Sequence, residues 1–370
     1  MTTAEAAAAP RAPGQKRRVP VWDNARFICV TLVVIGHGIQ RLTADSDQAL
    51  ALYVFVYAFH MPAFAIISGY FSKASPPGSR QMLKVITDIL LPYLIMQTIW
   101  SAVQFFVEGS TNPDPFTPHW TLWFLLALGL FRLLLPYLAL LRWPLFWAVV
   151  ASIVVGYLDS VDSTFSLSRA LGILPFFVLG WQVRQWRLVE RWRAMDAQAW
   201  WVRAAAVAVF VAWGAVVITF LDFWRTLDAH WFFYDDAYTA LGTEQWWAGF
   251  YRLGFIALAV VLSAALLVLV PRRETWITGF GQATMYIYLL HSFVLYPLRE
   301  TGVLEDHSSP WFLAAIVLAC VAISIALAAP WVQRLFRPLI EPKPNWLFID
   351  VGQKQSGRSR VDPTGSRRSE

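Results

Sequence analysis

Three histidines stand inside long apolar stretches of this 370-residue chain: His37, His60 and His291. An ionisable group among apolar residues is costly in a membrane, so each should face a protein interior or a water cavity. A neutral imidazole can take or give a proton near physiological pH, which is the chemistry of a general base or acid. A core histidine hydrogen-bonded to a neighbouring helix is the plainer reading of any one of them. Arg26 precedes His37 by 11 residues. On a helix that spacing brings the two within roughly 20° of one face and about 16 Å apart along the axis. An elongated anionic ligand could anchor on the guanidinium and present its far end to the imidazole. Snorkelling of Arg26 to lipid headgroups is the alternative.

The elements that must position these residues follow from composition. With 57% hydrophobic and 15% charged residues, 20 Trp and 26 Phe, the chain departs from soluble globular domains and fits an integral membrane protein. Apolar runs long enough to cross a bilayer occur at about 24–40, 50–71, 86–107, 119–141, 145–159, 169–186, 203–221, 249–270, 280–298 and 311–333. Counted along their runs, the three histidines fall about ten to thirteen residues in, which predicts a common depth near the midplane. Lys and Arg concentrate on alternate connections, at Lys73, Arg80 and Lys84, at Arg142, at Arg184 to Arg203, and at Arg272 and Arg273. By the positive-inside rule this predicts an all-α polytopic membrane protein of about ten transmembrane helices with both termini cytoplasmic, placed in the cell membrane. Residues 1–20 and 341–370, rich in Ala, Pro, Gly, Ser and Arg, are expected to be disordered cytoplasmic tails around a transmembrane domain at 21–340.

The net charge of +6 sits between apolar runs, so it is assigned to orientation and membrane lipid and not to nucleic acid. Cys29 and Cys320 lie in apolar runs without a CxxC pattern, so neither a disulfide framework nor a metal site is expected.

The stretch from Trp22 to His37, WDNARFICVTLVVIGH, with its Arg-x10-His spacing, resembles the opening helix of the membrane acyltransferase 3 family, particularly its fucose 4-O-acetylase-like branch. FHMPAFAIISGYF, from Phe59 to Phe71, resembles a second motif of that family, and LWFLLAL at 122–128 and MYIYLLHSFV at 285–294 occupy the places of two weaker ones. The resemblance covers about residues 20–338. It implies a ten-helix enzyme that moves an acyl group, usually acetyl, from cytoplasmic acyl-CoA to a hydroxyl of a carbohydrate or lipid-linked glycan. The essential Arg and His of the family map onto Arg26 and His37. Some members carry a further C-terminal hydrolase-like domain, for which this chain is too short, so the membrane domain is expected to complete the transfer.

Acyl transfer to an alcohol needs a base for the hydroxyl proton and donors for the developing oxyanion. His37 is the expected base, with His60 or His291 orienting it, donating to the oxyanion or relaying the proton; a transient acyl-histidine is the alternative. Arg184, Arg187 and Arg191 would share a face if their segment is helical, which suits CoA phosphates, although a topogenic cluster at anionic lipid fits equally. In the long connection at 222–248, Trp231, Asp235 and Asp236 are acceptor candidates, because sugar sites pair aromatic faces with carboxylates, with interfacial anchoring of the aromatics as the alternative. The rival function is a proton-coupled transporter using the same histidines. It lacks a visible internal repeat and paired Gly/Pro-broken helices.

Overall fold

The computed structural model describes residues 19–109, 114–195, 199–305 and 307–343; the expected tails lie almost wholly outside these. Every regular element among the described residues is helical. In chain order they are α1 (Pro20–Ile39), α2 (Asp47–Tyr57), α3 (His60–Phe71), α4 (Ser79–Val85), α5 (Leu91–Glu108), α6 (Trp123–Leu138), α7 (Pro144–Val155) and α8 (Leu167–Gln185). There follow α9 (Leu188–Ala194), α10 (Ala199–Thr219), α11 (Leu221–Thr226), α12 (His230–Phe233), α13 (Ala248–Leu269), α14 (Thr284–Glu300), α15 (Pro310–Leu327) and α16 (Pro330–Ile340).

All ten apolar runs are helices, because in a bilayer only a helix satisfies its own backbone. Seven helical stretches are long and apolar enough to cross on their own. The remaining runs form α6, α7 and α14, of 16, 12 and 17 residues. The chain is an all-α polytopic membrane protein.

Two runs are not the smooth helices their composition predicts. The second breaks at Ala58 and Phe59, where Phe59 leaves the helical region at φ −145°, and restarts at His60. Pro62 is the cause the sequence offers: it has no N–H for the carbonyl of Ala58, and its ring crowds that carbonyl. The third contains a π-helical turn at Ile86–Leu90 between α4 and α5. Such turns carry one extra residue and recur at functional sites.

Close packing then fixes the histidine-bearing helices. A Cβ on Gly69 would stand 1.9 Å from the carbonyl oxygen of Phe177, and one on Gly180 1.9 Å from that of Ile66. Only glycine lets α3 and α8 approach this closely. Helix α1 packs on α3, α14 and α15. Its first turn is tied down by the buried Asn24, whose amide donates to the carbonyls of Pro271 and Arg273 and whose oxygen accepts from the hydroxyls of Thr275 and Thr278. Pro20, well placed at a helix start, lets α1 begin four residues before the apolar run. His37 therefore falls in the last turn of α1, not halfway along it.

Candidate active site

The histidines come together from three helices. The rings of His37 and His291 have centroids 5.5 Å apart, and Trp120 closes edge-on against His37 at 5.2 Å. His60, the first residue of α3, sits against Tyr57 at 4.6 Å. Their tautomers follow from their neighbours. His60 Nδ1 is 3.0 Å from the carbonyl of Val56 at the break between α2 and α3, an oxygen that also accepts from the N–H of Phe59 at 3.2 Å. A carbonyl only accepts, so in the neutral ring Nδ1 carries the proton and Nε2 the lone pair. His291 Nδ1 lies 2.7 Å from the carbonyl of Tyr288 and 3.1 Å from that of Ile287, with the same consequence. His291 Nε2 and His37 Nδ1 are both buried without a hydrogen-bond partner among the described residues. Two imidazoles joined by an N–H···N bond of about 3 Å have centroids roughly 5 Å apart, close to the 5.5 Å between these rings.

A cavity of about 800 Å³ opens beside this pair. His37, His60, Tyr57 and Tyr288 line its depth, and Trp120, Trp123, Phe233 and Arg169 its walls. Asp159, Asp162, Asp235 and Asp236 line it as well. His291 does not line it and stands behind His37. Arg169, in α8, lies 4.7 Å over the Trp123 ring and pairs with Asp235. His230 Nδ1 is within 3.1 Å of Asp235 and 3.0 Å of Asp236. The N–H of Thr164 donates to Asp162 and holds its carboxyl below the usual range, so it stays anionic at neutral pH.

The acceptor candidates divide. Asp235 and Asp236 line the cavity, whereas Trp231 is buried behind it, stacked on Tyr238 and on Phe255 at 5.7 Å each. The single turn of α12 sends Trp231 into the core and Phe233 to the cavity. The ligand atoms of His230, Asp235 and Asp236 fall within 4.8 Å of one another, the one grouping with metal-site spacing among the described residues. Arg169 already pairs with Asp235 there.

At the other end of α1 lies a second cavity, of about 490 Å³. Its cations are Arg26, Lys73, Lys84 and Arg132, beside Asp88 of the π-helical turn. Arg26 is about a third exposed, 3.3 Å from Asp23 and 4.5 Å over the Phe71 ring. Arg184, Arg187 and Arg191 do not line it. Nor do they share one helical face, because the chain turns at Arg187, with φ 55°, between α8 and α9. Arg184 instead donates to the carbonyl of Tyr70 at 3.4 Å.

Arg132, Lys73 and Lys84 were not singled out as binding residues by sequence. Arg132 interrupts the fourth apolar run, and that is the signal that could have found it.

A polytopic helical protein with a cationic cavity at one end of its first helix, and histidines in an aromatic, acidic cavity at the other, has the parts of a group-transfer enzyme. The acyltransferase domain model of the acyltransferase 3 family matches residues 19–329, and the chain belongs to that family. It is a membrane O-acyltransferase. Nodulation protein NolL of Mesorhizobium japonicum is 30% identical over 223 residues, 54% of this chain and 58% of that protein, so the match spans less than two thirds of that relative. Nodulation protein NolL of Sinorhizobium fredii is 26% identical over 347 residues, 86% of this chain and 90% of that protein. No solved structure matches.

Proposed function

We propose that the enzyme takes an acyl group, in the simplest case acetyl, from cytoplasmic acyl-CoA and places it on a hydroxyl of a carbohydrate or glycoconjugate at the outer face of the cell membrane. The observation that carries this reading is the placement of Arg26 and His37 in two separate cavities of opposite character on one helix. The thioester supplies an activated carbonyl. Arg26, Lys73, Lys84 and Arg132 hold the phosphates of its carrier by charge-assisted hydrogen bonds. Asp235 and Asp236 accept hydroxyl protons of the acceptor, and Trp120, Trp123 and Phe233 offer faces to its ring.

His37 acts as general base, taking the proton as the acceptor oxygen bonds to the acyl carbon. As the carbon–sulfur bond breaks, the thiolate leaves with that proton. His291 is a positioning residue: its Nε2 accepts from His37 Nδ1–H, which fixes the lone pair of His37 on Nε2. His60, with its proton already given to Val56, presents only an acceptor, which suits it to orienting the hydroxyl and not to stabilising the oxyanion while it is neutral. Both tails lie in the cytoplasm, so the cationic cavity faces the donor pool. No metal is assigned a role.

Purified protein in lipid nanodiscs, given radiolabelled acetyl-CoA and a panel of surface glycans, should transfer label and release free CoA. Absence of acceptor-dependent CoA release with every glycan, alongside proton-coupled solute uptake in liposomes, would favour the transporter instead.

A further inference from the structure

Tyr288 is the one side chain among the described residues that lines both cavities. It is buried, and its hydroxyl donates to the carbonyl of Thr121, so the ring spans from α14 to the entry of α6. Phe124 meets it at 6.2 Å, and Phe64 of α3 meets Phe124 at 5.4 Å, a row of three rings from three helices. Both phenylalanines line the cationic cavity only. Arg26 and His37, about 16 Å apart along α1, line different cavities that meet at this ring.

Two further contacts tie this ring to the histidines. The carbonyl of Tyr288 accepts from His291 Nδ1 at 2.7 Å. Its hydroxyl holds the residue next to Trp120, which covers His37 and has a left-handed backbone at φ 36°. A bulky residue persists there only when its surroundings hold it.

We infer that Tyr288 is the movable partition between donor and acceptor cavities, its swing joining them into one passage through the protein. This rests on reading the two cavities as donor and acceptor sites. The polar contacts of its hydroxyl, to the carbonyl of Thr121 and from the backbone N–H of Phe124, are neutral hydrogen bonds, so the swing lies within reach of ligand binding energy. Closed, the ring keeps the water of the histidine cavity away from a bound thioester. Open, it lets the arm carrying the acyl group through, and it releases Trp120 from above His37 in the same movement.

The test is thiol labelling, which needs no turnover. Ser68→Cys places a thiol in the cationic cavity, and Ser163→Cys an exposed one in the histidine cavity. The buried Cys29 and Cys320 set the background. A small membrane-impermeant methanethiosulfonate is added to oriented vesicles on the side from which Ser163→Cys reacts. With Tyr288 intact, Ser68→Cys should react slowly from that side; in Tyr288→Ala its rate should rise roughly tenfold or more, with Tyr288→Phe in between.

Tyr288→Leu, closer in bulk, serves if the alanine variant does not fold, and Ser163→Cys must react equally in every background. Equal Ser68→Cys rates with and without the tyrosine ring would overturn the partition. Opening of the passage in a protein that transfers no acyl group would leave the partition standing and remove the donor–acceptor reading.

Discussion

Replacing Arg26 separates donor binding from chemistry, and the structure sets the size of the effect. In Arg26→Ala the fold loses an ion pair with Asp23 at 3.3 Å and a cation–π contact with Phe71 at 4.5 Å. With the side chain about a third exposed, these contribute together about 1 kcal/mol, and the variant should remain folded. A charge-assisted hydrogen bond to a phosphate contributes about 1.5–3 kcal/mol, which is about 10- to 150-fold in affinity. Partial exposure of Arg26 puts the expectation near the lower end, about tenfold. Arg26→Lys should recover only part, because the planar fork is lost.

Calorimetric titration of CoA into the purified variants, each in a His37→Ala background, measures binding without turnover. Arg184→Ala is the decisive control: its guanidinium lies outside the cavity, so affinity should change less than about twofold, the scale of an exposed charge. Unchanged CoA binding by Arg26→Ala, or a tenfold loss confined to Arg184→Ala, would refute the assignment of the donor phosphates to this cavity.

Other outcomes follow from the same geometry. His37→Ala should lower acceptor-dependent turnover by about 10²–10⁴-fold with CoA affinity unchanged, read from initial rates and calorimetry. His291→Asn should lower kcat and displace the acidic limb of its pH profile while leaving both KM values, since it touches His37 and no substrate; an unmoved profile would make it a packing residue. Asp235→Asn should cost about 3 kcal/mol in unfolding free energy because it leaves Arg169 without its carboxylate, Arg169→Met should cost less because His230 stays beside Asp235, and the double change should cost less than the two summed; strict additivity in denaturant titrations would dissolve the pair. A reporter fused at residue 230 should read outside, as the charge alternation requires.

The helices were legible because lipid leaves one solution for a long apolar run, and each such run is a helix. The interruptions were partly legible. Pro62 announced the break that makes His60 a helix-starting residue with its proton fixed, but a count of apolar residues passes over it. The place of His37 along its helix was less legible for a related reason: Asn24 and Arg26 look like the end of a span, whereas Asn24 is buried inside a helix that starts at Pro20. Trp231 could not be told from Phe233 because a single turn inside a 27-residue connection has no periodicity to orient it. Arg169 and Arg252 stand near the ends of apolar runs, where a charge is ordinary in sequence. Arg252 is fully buried, donating to the carbonyl of Asp236 at 3.0 Å, so it braces the loop that carries the cavity carboxylates.

The cations at 73 and 84 show why orientation and binding are hard to separate by sequence. Under the proposed function, a lysine that keeps its connection in the cytoplasm lies at the membrane face where an anionic donor arrives, so topogenic and ligand-binding roles would coincide on one residue. The opposite end carries Asp159, Asp162, Asp235 and Asp236 at a single cavity. Carboxylates there repel a polyphosphate and accept hydrogen bonds from a polyol. On the proposed reading, the charge asymmetry that orients the chain also assigns one substrate to each face. What composition leaves open is the passage between them, because a ring such as Tyr288 differs in sequence from any other buried aromatic only by the two cavities it meets. That difference exists only in three dimensions.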